Sequence, residues 1–151
     1  MSNLPYVQAD KKAEDKYRLS KSVVFKWYAP QWALAMLPDE PYCNNEGCFC
    51  KVTETINGKT VTRIHLLVYA GFHFAVSVAP NFRRALAGAC LHDWLYKYRK
   101  DIVIWSGRKD KDILRLADYW FLSQMNASKF LLKRTYFYAV RSFGYYFTKW
   151  F

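Results

Sequence analysis

The alternation of apolar and polar positions changes character near the middle of the chain. Before Pro80 the apolar residues are mostly β-branched or aromatic and come in short runs, at 22–27 (SVVFKW), 49–56 and 59–69. Runs of that length and composition predict strands. Asn57-Gly58 separates the second run from the third. Both residues tolerate the positive φ of a type I′ turn, whose twist suits paired strands, so the dipeptide predicts a tight hairpin. Residues 29–42 are punctuated by proline and read as loop with a short helix at WALAML. Residues 71–80 read as a short strand and then a loop. After Pro80 the chain becomes rich in Ala, Leu and Arg. The pattern predicts helices over about 81–100, 110–126 and 128–148. Asp110 and Asp112 favour the start of the second through the helix dipole, and Asn126 or Ser128 caps the third. Residues 102–109 read as a connector. Residues 1–20 are polar and read as an N-terminal arm, with 21–151 as a single domain. Strands first and helices second is the α+β class. The expectation is an N-terminal β-hairpin or small antiparallel sheet followed by three helices, the first two antiparallel neighbours across a short connection.

A chain of 151 residues can bury a real core. With 52% hydrophobic residues it is not of the disordered class. Lys and Arg number 23 against 12 Asp and Glu, a net charge of +11 that points to an acidic partner. Anionic membrane and acidic protein surfaces are candidates. Nucleic acid is the weaker one, because no recognised binding motif accompanies the charge. The first 21 residues hold no apolar stretch, so no secretory signal is expected. The 19 residues at 64–82 carry no Lys, Arg, Asp or Glu. They could span a membrane by length, but they follow the hairpin turn and contain His65, His73, Gly71, Ser77 and Pro80. Strands and a loop are expected there, not a transmembrane helix.

Charge inside the apolar helices is the first sign of chemistry. GACLHDWLYKYR at 88–99 sets His92 beside Asp93 in an apolar, aromatic run. Burying ionisable groups is costly unless they are paired. His92 and Tyr96 are four apart and share a helix face. Gly88 and Ala89 leave room one turn earlier. Asp118, in LRLADYWF, would face His92 and Tyr96 across an antiparallel interface. A histidine held through one ring nitrogen by a carboxylate can take a proton from water with the other. Tyr96 would fix the orienting acid. Asp93 would hold a hard cation such as calcium, which polarises an ester carbonyl. The alternative is that His92 and Asp118 merely satisfy each other between packed helices.

Cys43, Cys48 and Cys50 cluster in YCNNEGCFC. In an ideal hairpin about Asn57-Gly58, Ile56 faces Lys59 and Cys50 faces His65. Cys48, Cys50 and His65 would then project from one face and, with Cys43, compose a Cys₃His zinc site. The spacing matches no common zinc module, so a Cys43 disulfide and free thiols stand as alternatives. At the C-terminus, Lys129, Lys133, Arg134, Arg141 and Lys149 make residues 129–151 basic, and Phe130, Phe137, Tyr138 and Phe143 are assigned to the core. Tyr146, Phe147, Trp150 and Phe151 are assigned to a membrane interface or a neighbouring subunit, or else fold back on their own domain.

The run Cys90-Leu91-His92-Asp93-Trp94-Leu95-Tyr96, followed by Ala117-Asp118, resembles the calcium-dependent phospholipase A2 superfamily. That likeness implies His92 as general base, Asp93 as calcium ligand, Asp118 as the group orienting His92, and Tyr96 as its hydrogen-bonding support. The chain lacks the Gly- and Cys-rich calcium loop of the secreted enzymes. It also lacks a cysteine on the second helix to pair with Cys90, which suits a reducing compartment. A closer likeness is to a family of small, functionally uncharacterised phage and prophage proteins. The matching residues are Gly71-Phe72, Ser77-Val78-Ala79-Pro80, His92-Asp93-Trp94-Leu95-Tyr96, Ala117-Asp118 and Tyr138-Ala139-Val140-Arg141-Ser142-Phe143-Gly144, in order across 65–150. Where that family's loop carries an Asp, this chain has Ala75 or Val76. The resemblance implies a virion or assembly-associated structural or binding protein built on a phospholipase A2-like helix pair. It would reside in the virion or the host cytoplasm, among other virion or assembly proteins. One alternative is a calcium-dependent phospholipid-ester hydrolase acting on the host membrane. The other is a His-Asp metal-dependent phosphohydrolase drawing on His65 or His73 with His92, Asp93 and Asp118.

Overall fold

The structure is a computed structural model and describes residues 4–8, 17–75 and 86–127. In chain order the elements are β1 (Tyr6–Gln8), β2 (Tyr17–Leu19), β3 (Val23–Trp27), α1 (Gln31–Leu34), β4 (Tyr42–Asn44), β5 (Gly47–Ile56), β6 (Lys59–Val68), β7 (His73–Phe74), α2 (Leu86–Lys97), α3 (Arg99–Ser106) and α4 (Asp110–Ala127). The class is α+β, strands first and helices second.

Among the described residues two antiparallel sheets form, one ordered β3-β6-β5-β4 and the other β1-β2-β7. The hairpin of β5 and β6 turns at Asn57 and Gly58, whose φ values of 51° and 77° are those a type I′ turn needs. Its register pairs Ile56 with Lys59 and Cys50 with His65, as the sequence predicts. Alternation fixes which face is buried. Val23, Phe25 and Trp27 of β3, Phe49 of β5, and Ile64, Leu66 and Val68 of β6 join one core cluster with Leu91, Trp94, Leu95, Ile113, Leu116 and Trp120 from the helices. Trp27 stacks on Trp120 at 5.6 Å between centroids, and Phe49 lies 5.7 Å from Trp105. Such aromatic pairs add to area burial. Across the α2–α4 interface His92 meets Phe121, and Tyr96, one turn further along α2, meets Asp118, one turn earlier on α4. The order reverses from one helix to the other, so α2 and α4 run antiparallel.

β1, β2 and α3 depart from the sequence expectations. Residues 1–20 are not simply an arm: β1 and β2 lie within them, and Leu4, Tyr17 and Leu19 are buried. β2 is completed by β7, with Tyr17 opposite Phe74. Three residues flanked by charges carry too little local pattern to announce a strand whose partner lies far along the chain. The first long helix stops at Lys97, and residues 102–109, expected as a connector, fall largely within α3. Tyr98 breaks the helix at φ −102°, ψ 13°, and Gly107 closes α3 in the left-handed region with its N–H on the Val103 carbonyl. The β-branched run at 102–104 argues weakly against helix, but complete burial of Ile102 outweighs that. β4 begins where the proline-punctuated 29–42 stretch ends, in a segment without a strand signal of its own, and pairs with β5.

The expected helix over 128–148, the Ser77–Pro80 loop residues and the aromatic cluster Tyr146, Phe147, Trp150 and Phe151 lie outside the described residues. Among the described residues, no helix is long and apolar enough to cross a membrane.

Candidate functional site

α2 is buried nearly all round over its first three turns, so a polar residue there must find its partner inside the protein. His92 does so. Its Nε2 lies 2.8 Å from Asp118 Oδ1 on α4, and the Tyr96 hydroxyl donates to the same oxygen at 2.7 Å. Asp118 is 2% exposed and His92 8%. The imidazole is wedged between Tyr96, 4.0 Å away between ring centroids, and Phe121, edge-on at 5.4 Å. The spacing of four between His92 and Tyr96 puts both over one patch of α4. The sequence-predicted trio His92, Tyr96 and Asp118 is therefore assembled as expected. Phe121, one turn beyond Asp118 on α4, carries no signal in the sequence that sets it apart from the other aromatics of that helix.

With Nε2–H directed at the carboxylate, the lone pair of the neutral ring sits on Nδ1. Among the described residues Nδ1 meets no protein partner. A carboxylate that fixes the tautomer and can stabilise the imidazolium, with the opposite ring nitrogen unbonded by the described residues, is an arrangement that can serve a general base.

Asp93 is half-buried beside this trio, and its Oδ2 accepts the Ala75 N–H at 2.9 Å. The contact ties the end of β7 to α2. Calcium takes six to eight oxygen ligands. The described residues bring one carboxylate here and aim an amide N–H, not a carbonyl, at one of its oxygens. Among the described residues no group of three or more His, Cys, Asp or Glu side chains is arranged to hold a metal ion. The described residues do not fit the calcium site that the family resemblance implies.

The phosphohydrolase set is not gathered either. His65 lies between the inward-facing Ile64 and Leu66 and so projects from the outer face of the sheet, away from the helices. His73 is exposed on β7. On that outer face Arg63 is buried, donates to Glu54, and reaches the Tyr28 hydroxyl at 3.3 Å. Burial, then the charges of Arg63 and Lys26, push the His65 pKa down against a smaller opposing pull from Glu54.

Of the proposed zinc ligands, Cys43 and Cys48 are joined as a disulfide across β4 and β5. Cys50 is a free, half-buried thiol opposite His65, and burial raises its pKa. Cys90 is sealed within α2, where burial and the Asp93 charge push its thiol well above the usual range. It is an inert core sulfur.

One functional residue escaped the sequence reading. Glu46, at the turn between β4 and β5, accepts hydrogen bonds from Lys97 Nζ and the Tyr98 hydroxyl. Its main-chain carbonyl accepts from Trp94 Nε1 at 3.1 Å and from the Tyr69 N–H at 3.0 Å. Gly47 makes the approach possible, since a Cβ there would run into the Leu67 carbonyl and Trp94 Nε1. The turn thus clamps the C-terminal end of the helix that carries His92. A lone turn acid some 51 residues from its lysine gives no local signal.

Comparison with protein-family models, with curated proteins and with solved structures gives no match.

Proposed function

We propose that the chain is a hydrolase in which His92 activates water for attack on an ester carbonyl, with a phospholipid-like ester as the substrate class. The observation that carries this reading is the double hold on Asp118 Oδ1, by His92 Nε2 at 2.8 Å and Tyr96 at 2.7 Å. Water gives a proton to Nδ1 as its oxygen bonds to the carbonyl carbon. The tetrahedral adduct then collapses, and the imidazolium returns the proton to the leaving alkoxide. Asp118 offsets the imidazolium charge, while Tyr96 keeps its carboxylate turned toward His92. Apolar side chains of similar volume would fill this helix interface without the desolvation penalty of three polar ones. Base catalysis of this kind contributes roughly 10²–10⁴-fold.

The test is release of fatty acid from labelled phospholipid vesicles, with calcium and with chelator, by wild type, His92→Ala and Asp118→Asn. Wild type should release product. His92→Ala should fall to background, and Asp118→Asn should lose roughly 10²–10⁴-fold in kcat, because the amide no longer stabilises the imidazolium. No His92-dependent release in either condition sinks the reading.

A second reading is favoured by the tie between Asp93 and the Ala75 amide, which makes Asp93 architectural. On that reading the helix pair is a scaffold, and the chain is a virion or assembly-associated binding protein. Its +11 charge then meets acidic assembly partners or anionic membrane. Removing residues 146–151 should then abolish assembly while the circular dichroism spectrum is kept. Normal assembly by that truncation overturns this version.

A further inference from the structure

We infer that reduction of the Cys43–Cys48 disulfide converts the outer face of the four-stranded sheet into a binding site for a zinc-class cation. Its ligands are the sulfurs of Cys43, Cys48 and Cys50 and the imidazole of His65. This inference is independent of the chemistry assigned to His92.

The sheet register brings these residues together. β4, β5 and β6 are consecutive in the sheet, with Cys43 opposite Cys48 and Cys50 opposite His65. Phe49, Ile64 and Leu66 are wholly buried on the inner face. Their alternating neighbours Cys48, Cys50 and His65 therefore project outward together. Adjacent strands lie about 4.8 Å apart, and same-face residues on one strand are roughly 7 Å apart. Bonds of about 2.3 Å to sulfur and 2.0 Å to imidazole nitrogen let a tetrahedral ion above the Cys48–Cys50 segment reach across to both neighbouring strands. β4 sits at the sheet edge, with Cys43 exposed on it.

His65 has an unsatisfied nitrogen to offer, although its ring lies toward Glu54 and must turn to meet an ion beside Cys50. His65 Nε2 is sealed from solvent and makes no hydrogen bond, and its nearest acid oxygen, Glu54 Oε1, is 4.0 Å off. A buried ring nitrogen without a partner is rare and costly, and a metal bond would satisfy it. The disulfide consumes two of the four donors, so the oxidised face holds no ligand set.

The redox step balances with a dithiol reductant. The dithiol gives two electrons and two protons to the Cys43–Cys48 bond and becomes a disulfide itself. The cysteine thiols release their protons as they bind the cation, whose oxidation state does not change. In a reducing compartment the ion would take over the cross-link between β4 and β5 and extend it to β6.

Cobalt(II) is a spectroscopic substitute for zinc, and the test is its titration into the full chain before and after phosphine reduction. The reduced chain should develop thiolate-to-cobalt charge-transfer absorption and tetrahedral visible bands that saturate at one equivalent and vanish on adding zinc. The disulfide form should develop neither. Cys50→Ser and His65→Ala should each weaken binding more than about tenfold, whereas Cys90→Ala should leave it unchanged. Full affinity in Cys50→Ser and His65→Ala overturns the proposal, as does equal binding by the oxidised chain. If the reduced chain loses its circular dichroism spectrum, zinc should restore it. Failure to restore it, or absence of the bands in a folded reduced chain, also overturns the proposal.

Discussion

Glu46 is a half-buried carboxyl on a turn, and its partners decide its charge. Burial alone would raise its pKa. Hydrogen bonds from Lys97 and Tyr98, with the charges of Lys97 and His73, outweigh that and hold it below the usual carboxylate value. A carboxyl whose pKa is lower in the folded state stabilises the fold above its unfolded pKa, about 4.3, and loses that contribution as pH falls through its folded value. Glu46→Gln should therefore flatten the acid limb of the stability profile and cost about 1 kcal/mol near neutrality, the worth of the lost charged hydrogen bonding. Urea denaturation from about pH 7 down to pH 3 measures both. Curves that stay parallel to wild type across that range would refute the clamp. His65 contributes an acid-side loss of its own, since its pKa is pushed down in the fold. That loss begins near the ordinary histidine value of about 6.5 and is common to wild type and Glu46→Gln, so it cancels in the comparison.

At the scale of elements, α2 is positioned from two sides. α4 meets it through the trio on Asp118, and the β4–β5 turn meets it through Glu46 and Gly47. The second contact depends on close approach of backbone, because the Gly47 Cα lies where any side chain would strike the Leu67 carbonyl of β6. Gly47→Ala should destabilise the fold by roughly 1–3 kcal/mol, the usual cost of overpacking a site with no room to yield. It should also raise amide hydrogen exchange over Trp94–Tyr98. Unchanged exchange there would show that the turn does not hold the helix. The break at Tyr98 belongs to the same scale. It lets α3 turn so that Ile102 is buried and Trp105 packs on Phe49 and Tyr42.

At the scale of the whole molecule, one core joins the two sheets to the helices, and the small sheet is part of it. Leu19 is 1% exposed and Tyr17 stacks on Phe74 at 5.7 Å. Leu19→Ala should cost about 2–5 kcal/mol, the range for a fully buried leucine. Arg18→Ala, on the exposed side of β2, should stay within about 0.5 kcal/mol of wild type. Chemical denaturation of the two variants separates a core strand from a surface arm. Equal, negligible losses would return residues 17–19 to the arm.

The local pattern in the sequence determined much of this protein. A two-residue turn signal with period-two runs on either side carries the β5–β6 hairpin and its register down to Cys50 and His65. A spacing of four, a short connection and an acid in an apolar helix carry the trio of His92, Tyr96 and Asp118. Each depends on geometry that repeats every two or 3.6 residues, which a linear reading can follow. Tertiary structure alone decided the pairing of β2 with β7, the Cys43–Cys48 bond, the Glu46 clamp, the folding of 102–106 as helix, and the placement of His65 on the face away from His92. These rest on partners far apart in the chain. Only burial against an already assembled core outweighs weak local preference and supplies the missing hydrogen-bond partner.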